Sequence, residues 1–304
     1  MTQSLLVSLL VLTIIKSVPI VYATLGGVIS ERSGVINIGL EGMMIAGAFT
    51  SVVISNLVTP SLGPAFGPLV GLIVGVGAGA FIGWVLGVAA TKFKVDQIVA
   101  GIGINILCGG IAGYGTFLVF GLQGASPSVP ALGGPNIGFL DLHAGATALL
   151  VFAFVCSMGL SWLIYKTPWG LRVQACGENP HAVKSAGLDP LKSRLRAVTI
   201  SGALAGLGGA FLAIGELNLY SDGMTAGRGF IALAAVIFGR WTPWGATGAA
   251  VFFGFFEALE TVLQGHVSWL PADAMQALPY VAALVALAGV TGRVRAPAAD
   301  GVPF

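Results

Sequence analysis

Apolar runs of about twenty residues, separated by short polar or Gly/Pro-rich breaks, recur along the whole chain. Runs of that length match the span of a bilayer core about 30 Å thick. They fall near 4–27, 34–57, 67–91, 97–120, 144–165, 197–214, 226–239, 246–263 and 276–291. The pattern predicts an all-α polytopic membrane protein with about nine transmembrane helices, within a range of eight to ten because Gly and Pro blur the boundaries. The opening stretch MTQSLLVSLLVLTIIKSVPIVYATLGG has no basic n-region and no small-residue cleavage site, so it reads as a retained first span. One membrane domain over 1–296 is expected, interrupted by a polar loop at 166–196 and followed by a short tail at 297–304.

Composition agrees. Of 304 residues 56% are hydrophobic and only 9% charged, where a soluble domain carries roughly a quarter. Mean hydropathy is +0.93. The net charge of +2 says little, and no nucleic-acid partner is implied. The placement of the cations says more. Arg32, Lys92, Lys94, Lys166, Arg172, Lys184, Lys192, Arg194, Arg196, Arg240, Arg293 and Arg295 all fall on one face if crossings alternate, and the loops at 58–66, 121–143 and 264–275 hold no Lys or Arg. That asymmetry makes the basic face cytoplasmic, the N-terminus external and the C-terminus internal. Arg228 is the one cation near the other face. Soluble-enzyme chemistry is not legible. No Ser/His/Asp geometry and no paired carboxylates in a soluble cleft can be argued. Cys108, Cys156 and Cys176 lack CxxC spacing, and His143, His181 and His266 lack metal-ligand spacing, so packed thiols and no metal site are expected.

Gly71, Gly75, Gly79, Gly83 and Gly87 recur every fourth residue and predict a ridge where another helix approaches closely. Gly202, Gly206 and Gly209 repeat the style. The polar loop contains Asn179 as an N-cap, Pro180 at the first helical position, about two turns through Ala186, and Gly187 to end them. Asp189-Pro190 then blocks resumption until the next span begins near Arg196. A helix so short needs a surface to dock on. Ala182, Val183, Ala186 and Leu188 could press into a partner, or the helix could lie on its own membrane domain or on anionic lipid.

Polar residues inside the bilayer are candidates for a substrate pathway. Gly34, Gly39 and Gly42 permit a break in the second span, and unwound backbone is tolerated where it lines a cavity. On a helix Asn37 and Glu41 share a face, either toward a substrate or bonded to each other across the break. Gln97 reads as a cap with Asp96 or as a pathway group with Asn105, eight residues on. Asn218, with Tyr220 and Asp222, falls near the external mouth. Glu257 and Glu260 are three apart, a spacing a proton relay could use, although the structural reading is favoured.

GENPHAVKSAGLDPLKSRLRAVTISGALAGLGGAF resembles the cytoplasmic coupling loop of ABC importer permeases, in the branch carrying nucleosides, simple sugars and branched-chain amino acids. SERSGVINIGLEGMMIAGAF, VDQIVAGIGINIL and AGRGFIALAAVIFGRWTPWGA extend the resemblance along nearly the whole chain, closest to the nucleoside and simple-sugar members. The resemblance implies a bacterial inner-membrane, multi-pass permease subunit rather than an enzyme. Asn179, Pro180, Ala182, Val183, Ala186, Gly187 and Leu188 would form the coupling helix seated in a separate ATP-binding subunit. The chain has no GxxxxGK[ST] loop, so it would bind no cofactor itself and ATP would be used by that partner. A second permease subunit, a heterodimer in preference to a homodimer, and an extracytoplasmic substrate-binding protein are also implied. The alternatives are a branched-chain amino acid permease, which needs a cation for the substrate carboxylate (Arg228 or Lys16), and a proton-coupled secondary transporter.

Overall fold

The computed structural model describes residues 2–133, 136–137, 142–266, 271, 275–289 and 295–304. Arg293 and most of the loop expected at 264–275 lie outside the described residues. Helix α1 runs Thr2–Arg32, α2 Leu40–Thr91, α3 Gln97–Phe120 and α4 Ala144–Lys166. After these come α5 Pro168–Glu178, α6 Pro180–Ser185 and α7 Pro190–Ala210, which continues as a π-helical turn over Phe211–Leu217. Helices α8 Arg228–Phe238, α9 Pro243–His266 and α10 Leu278–Gly289 complete the described elements. A two-residue antiparallel ladder pairs Asn136–Ile137 with Leu142–His143 before α4.

The described residues contain six helices long and apolar enough to cross a membrane. The expected count of nine is therefore not reached by that measure, and three differences account for it. Two expected spans are arms of one 52-residue helix, α2, which turns back at Gly63 with φ +81° and ψ 167°, a conformation only glycine adopts freely. Helix α8 has 11 residues, about 16 Å at 1.5 Å per residue, which is half a bilayer core. The last apolar stretch forms a described helix of 12 residues.

Glycine sets the packing. On the second arm of α2, Gly71 and Gly75 lie against the first arm, so that a methyl on Gly75 would sit 2.7 Å from the Gly47 carbonyl oxygen. Gly79 and Gly83 meet α7, where a methyl on Gly79 would strike the Gly202 carbonyl and one on Gly83 would sit 2.6 Å from that of Val198. Gly87 faces Leu195 of α7. From the other side Gly202 and Gly206 meet Gly79 and Gly75, and Gly209 meets the Met44 carbonyl. Lipid gives helices no hydrophobic reason to associate, so backbone approach of this kind supplies the dispersion that holds them. The span Pro190–Leu217 is consequently central, with 78% of its apolar window buried, against 22% for Gln97–Phe120 at the periphery.

Candidate functional site

The helices leave the backbone unwound in two places inside the bundle, and the predicted pathway residues cluster there. The first is 33–39, between α1 and α2. Unwound amides and carbonyls in a membrane need partners, and side chains supply them. The Gln97 Oε1 accepts from the Ile36 amide at 2.8 Å. Asn105 bridges the far end, donating to the Ile38 carbonyl at 2.9 Å and accepting from the Gly42 amide at 2.8 Å. Asn37 donates to Ser201 Oγ on α7 at 2.8 Å. The Asn37 Oδ1 and Gln97 Nε2 are buried without a hydrogen-bond partner.

The second is 218–227, between the π-turn and α8. Asn218 starts it with φ +56°, and its buried Oδ1 has no partner. Tyr220 and Asp222 pack on the 121–129 loop, through Tyr220 N–H to Ser126 Oγ and Asp222 N–H to the Gly124 carbonyl. Glu41 joins the two unwound stretches. Its carboxylate accepts from Thr225 Oγ1 at 2.6 Å and from the Gly227 and Gly229 amides at 2.9 and 2.6 Å. It therefore sits on the positive N-terminus of α8.

Three local expectations are corrected by this geometry. Asn37 and Glu41 do not share a helix face, because 33–39 is not helical: Asn37 reaches α7 while Glu41 reaches α8. Gln97 does not cap α3. Asp96 does, accepting from Ile98 and Val99 amides, and this frees Gln97 for the unwound strand. The next long helix starts at Pro190 rather than near Arg196.

On the basic face, the short helix follows the predicted cap code. Asn179 accepts from the Ala182 amide at 3.0 Å, Pro180 takes the first position, and Gly187 closes the turn at φ +78°. Pro180 and Val183 turn inward and are buried, while Ala182 and Ala186 are exposed and Leu188 half-buried. Val183 is thus an anchor rather than an offered surface. Asp189 caps α7, and the Lys192 and Leu191 amides hold its carboxyl below the usual range. Helix α5, which the sequence reading missed, packs beside α6. The two line an apolar groove of about 430 Å³ that includes Leu171, Ala175, Ala182, Ala186 and Leu188.

Arg194, 2% exposed, ties this face together. It donates to the carbonyls of Ser33 (3.0 Å), Cys176 (3.3 Å), Ala299 (3.2 Å) and Val302 (2.9 Å). The 295–304 segment is therefore not a loose tail. Ala299 N–H also reaches the Gly177 carbonyl at 2.7 Å, and Phe304 meets the His181 ring edge-on at 4.8 Å. Burial pushes the Asp300 carboxyl up to about 7 despite Arg194 nearby. Arg32 donates to the Trp241 carbonyl at 2.8 Å, so the ends of α1, α5, α7 and α8 converge where the cations were expected.

Farther from that face, two ion pairs cross the bundle. Lys16 on α1 meets Glu216 of the π-turn at 2.5 Å. Arg228 on α8 meets Glu257 on α9 at 2.7 Å and also donates to the Met224 carbonyl at 2.9 Å. Glu216, Arg194 and Ser201 were missed as site residues. Their partners stand 200, 161 and 164 positions away in sequence, so no local spacing could reveal them.

A sequence-family profile described as "Branched-chain amino acid transport system / permease component" matches residues 9–288. The chain is 38% identical to the guanosine ABC transporter permease protein NupQ of Bacillus subtilis, over 96% of this chain and 94% of the relative. It is 36% identical to the nucleoside ABC transporter permease protein NupC of Lactococcus lactis, with the same coverage. A putative glucose ABC transporter permease protein, TsgC13 of Haloferax volcanii, is 32% identical over 82% of this chain and 75% of that protein.

Proposed function

The chain belongs to the branched-chain amino acid transport system permease family, and from that premise we propose that it is the nucleoside-carrying permease subunit of an ATP-driven importer. Membership makes it a multi-pass protein of the bacterial inner membrane and a transporter rather than an enzyme, with ATPase activity in partner subunits. One observation carries the choice of substrate. Among the described residues away from the basic face, Lys16 and Arg228 are each committed to a carboxylate. No lysine or arginine is left there for an amino-acid carboxylate, whereas a nucleoside has no charge to pair. The same pairing of Glu257 speaks against a proton relay. The names of NupQ and NupC point the same way.

In this reading Asn179, Pro180, Ala182, Val183, Ala186, Gly187 and Leu188 form the coupling helix, and the apolar groove between α5 and α6 receives the ATP-binding subunit. Asn37, Glu41, Gln97, Asn105 and Asn218 belong to the pathway as groups that hold its unwound wall. One chain offers one such helix while ATP-binding subunits work as pairs. A second permease, a different one in preference to a copy, and an external binding protein complete the assembly.

The test is uptake by proteoliposomes holding the full complex. Guanosine should enter only with ATP, and leucine should not enter. Gly187→Glu or Lys184→Pro should abolish guanosine uptake with membrane levels unchanged. ATP-independent uptake, leucine uptake, or normal transport by both variants would overturn the corresponding part of the reading.

A further inference from the structure

A cavity of about 350 Å³ lies between α1, α8, α9 and α10, at the low end of the roughly 300–1,000 Å³ typical of ligand pockets. It sits well away from the basic face. Glu257 is 14 residues into α9, about 21 Å along its axis. Ile231 and Glu257 form the floor, 4% and 8% exposed, and Tyr280 marks the mouth at 45%. Ala226 and Arg228 bring the end of the 218–227 stretch into the wall.

The chemistry of the lining is selective. Lys16 and Arg228 are each bonded to a carboxylate, Glu216 and Glu257, so Glu260 is the uncompensated charge among the described lining residues. An anion, whether an amino-acid carboxylate or a lipid phosphate, would have to break a buried pair, which is costly. Glu260 is different. Among the described residues its one side-chain bond is from Gln264, at 3.0 Å, and it lines the cavity with acceptor capacity to spare. The lining also includes Pro279, Ile231 and the Tyr280 ring, whose hydroxyl is tied to the Ala226 carbonyl at 2.6 Å. The lining thus offers both a hydrogen-bond acceptor and apolar surface with a planar ring.

We propose that this cavity is a transit site for the substrate within a single permease chain, taking a neutral solute that joins a diol to a planar ring, with Glu260 accepting from the diol. The inference rests on the nucleoside reading and adds the place and the recognition group. Glu260 can accept a charge-assisted hydrogen bond without dismantling the Arg228–Glu257 pair.

The experiment uses the full complex in proteoliposomes with Cys156→Ala as background, since Cys108 and Cys176 are buried. Thr261→Cys places a thiol at the cavity wall, and its labelling by a maleimide is timed with guanosine, with leucine and with neither. Guanosine should slow labelling several-fold, leucine should not, and adding Glu260→Gln should remove the protection. Thr261→Phe, which narrows the cavity from an exposed position, should cut uptake at least tenfold at normal membrane levels. Labelling indifferent to guanosine in vesicles that take guanosine up overturns the cavity assignment alone. Unmodified complex that takes up no guanosine overturns the substrate reading and the ligand named here with it.

Discussion

The α2–α7 interface and the unwound 33–39 stretch solve the same problem in opposite ways. In a bilayer every backbone group needs a partner. At the glycine interface each helix keeps its own hydrogen bonds, and small residues let two intact backbones touch. At 33–39 the helix is given up, and Gln97, Asn105 and Arg194 stand in for the missing ladder. The first arrangement tolerates no added atom. The second tolerates no lost hydrogen-bond partner. Close packing in this bundle thus rests on absent side chains, and its unwound backbone rests on present ones.

The sharpest way to break the first arrangement is Gly79→Leu, whose side chain has only the Gly202 and Gly206 backbone to displace. Overpacking costs about 1–3 kcal/mol where neighbours can yield. Here the neighbour is main chain, so folded protein should fail to accumulate by detergent size exclusion. Gly77→Leu, with nothing within 4 Å of a methyl there, is the control and should behave as the parent. Next comes Arg194→Leu. It removes a donor from four carbonyls; Ala299 keeps the Val302 amide, and each of the other three costs about 1–3 kcal/mol if it stays dry. A large fall in thermal stability and rapid hydrogen exchange across 33–39 and 295–304 are expected.

A smaller effect should follow Asn105→Leu, nearly the same shape but without the bridge from Ile38 to Gly42. Two stranded backbone groups cost about 1–3 kcal/mol each. Exchange should rise in 33–39 while the glycine interface stays protected, and equal exchange in both regions would contradict the contrast drawn here. The smallest effect is a pH dependence. The Asp300 carboxyl sits at about 7 when 295–304 is docked, against 3.8 for the free group, because burial disfavours its charge. The docked state therefore holds the proton more tightly, and docking weakens as pH rises from about 4 through 7. Arg194 and Glu31 are the charged neighbours. Proteolysis within 295–304 should be faster at pH 8 than at pH 6, and Asp300→Asn should flatten that difference.

What could be read in the sequence depended on distance along the chain. Gly71 to Gly87 announced a ridge because the period lies within one helix. Asn179, Pro180 and Gly187 announced a six-residue helix because capping is local. Gly34 and Gly39 permitted a break, and the break is there. The partners across it were not legible. Nothing near Asn37 pointed to Ser201, and nothing near Glu41 pointed to Thr225 or Gly229. Hydropathy also hid length: one apolar run bent at Gly63 counts as two spans, and 11 residues of α8 look like one. Helix α5 was missed because its polar, tryptophan-containing sequence carries no membrane signal, and 295–304 because a short tail carries no packing signal at all.

A single carboxylate, Glu41, opens the first arm of α2 and neutralises the start of α8. Two stretches of chain nearly two hundred residues apart are thereby yoked: neither can shift by a few ångströms without stripping the other of its counter-charge. Movement that frees one must carry the other along, so a push delivered at one edge of the bundle would be felt as a single stroke on both.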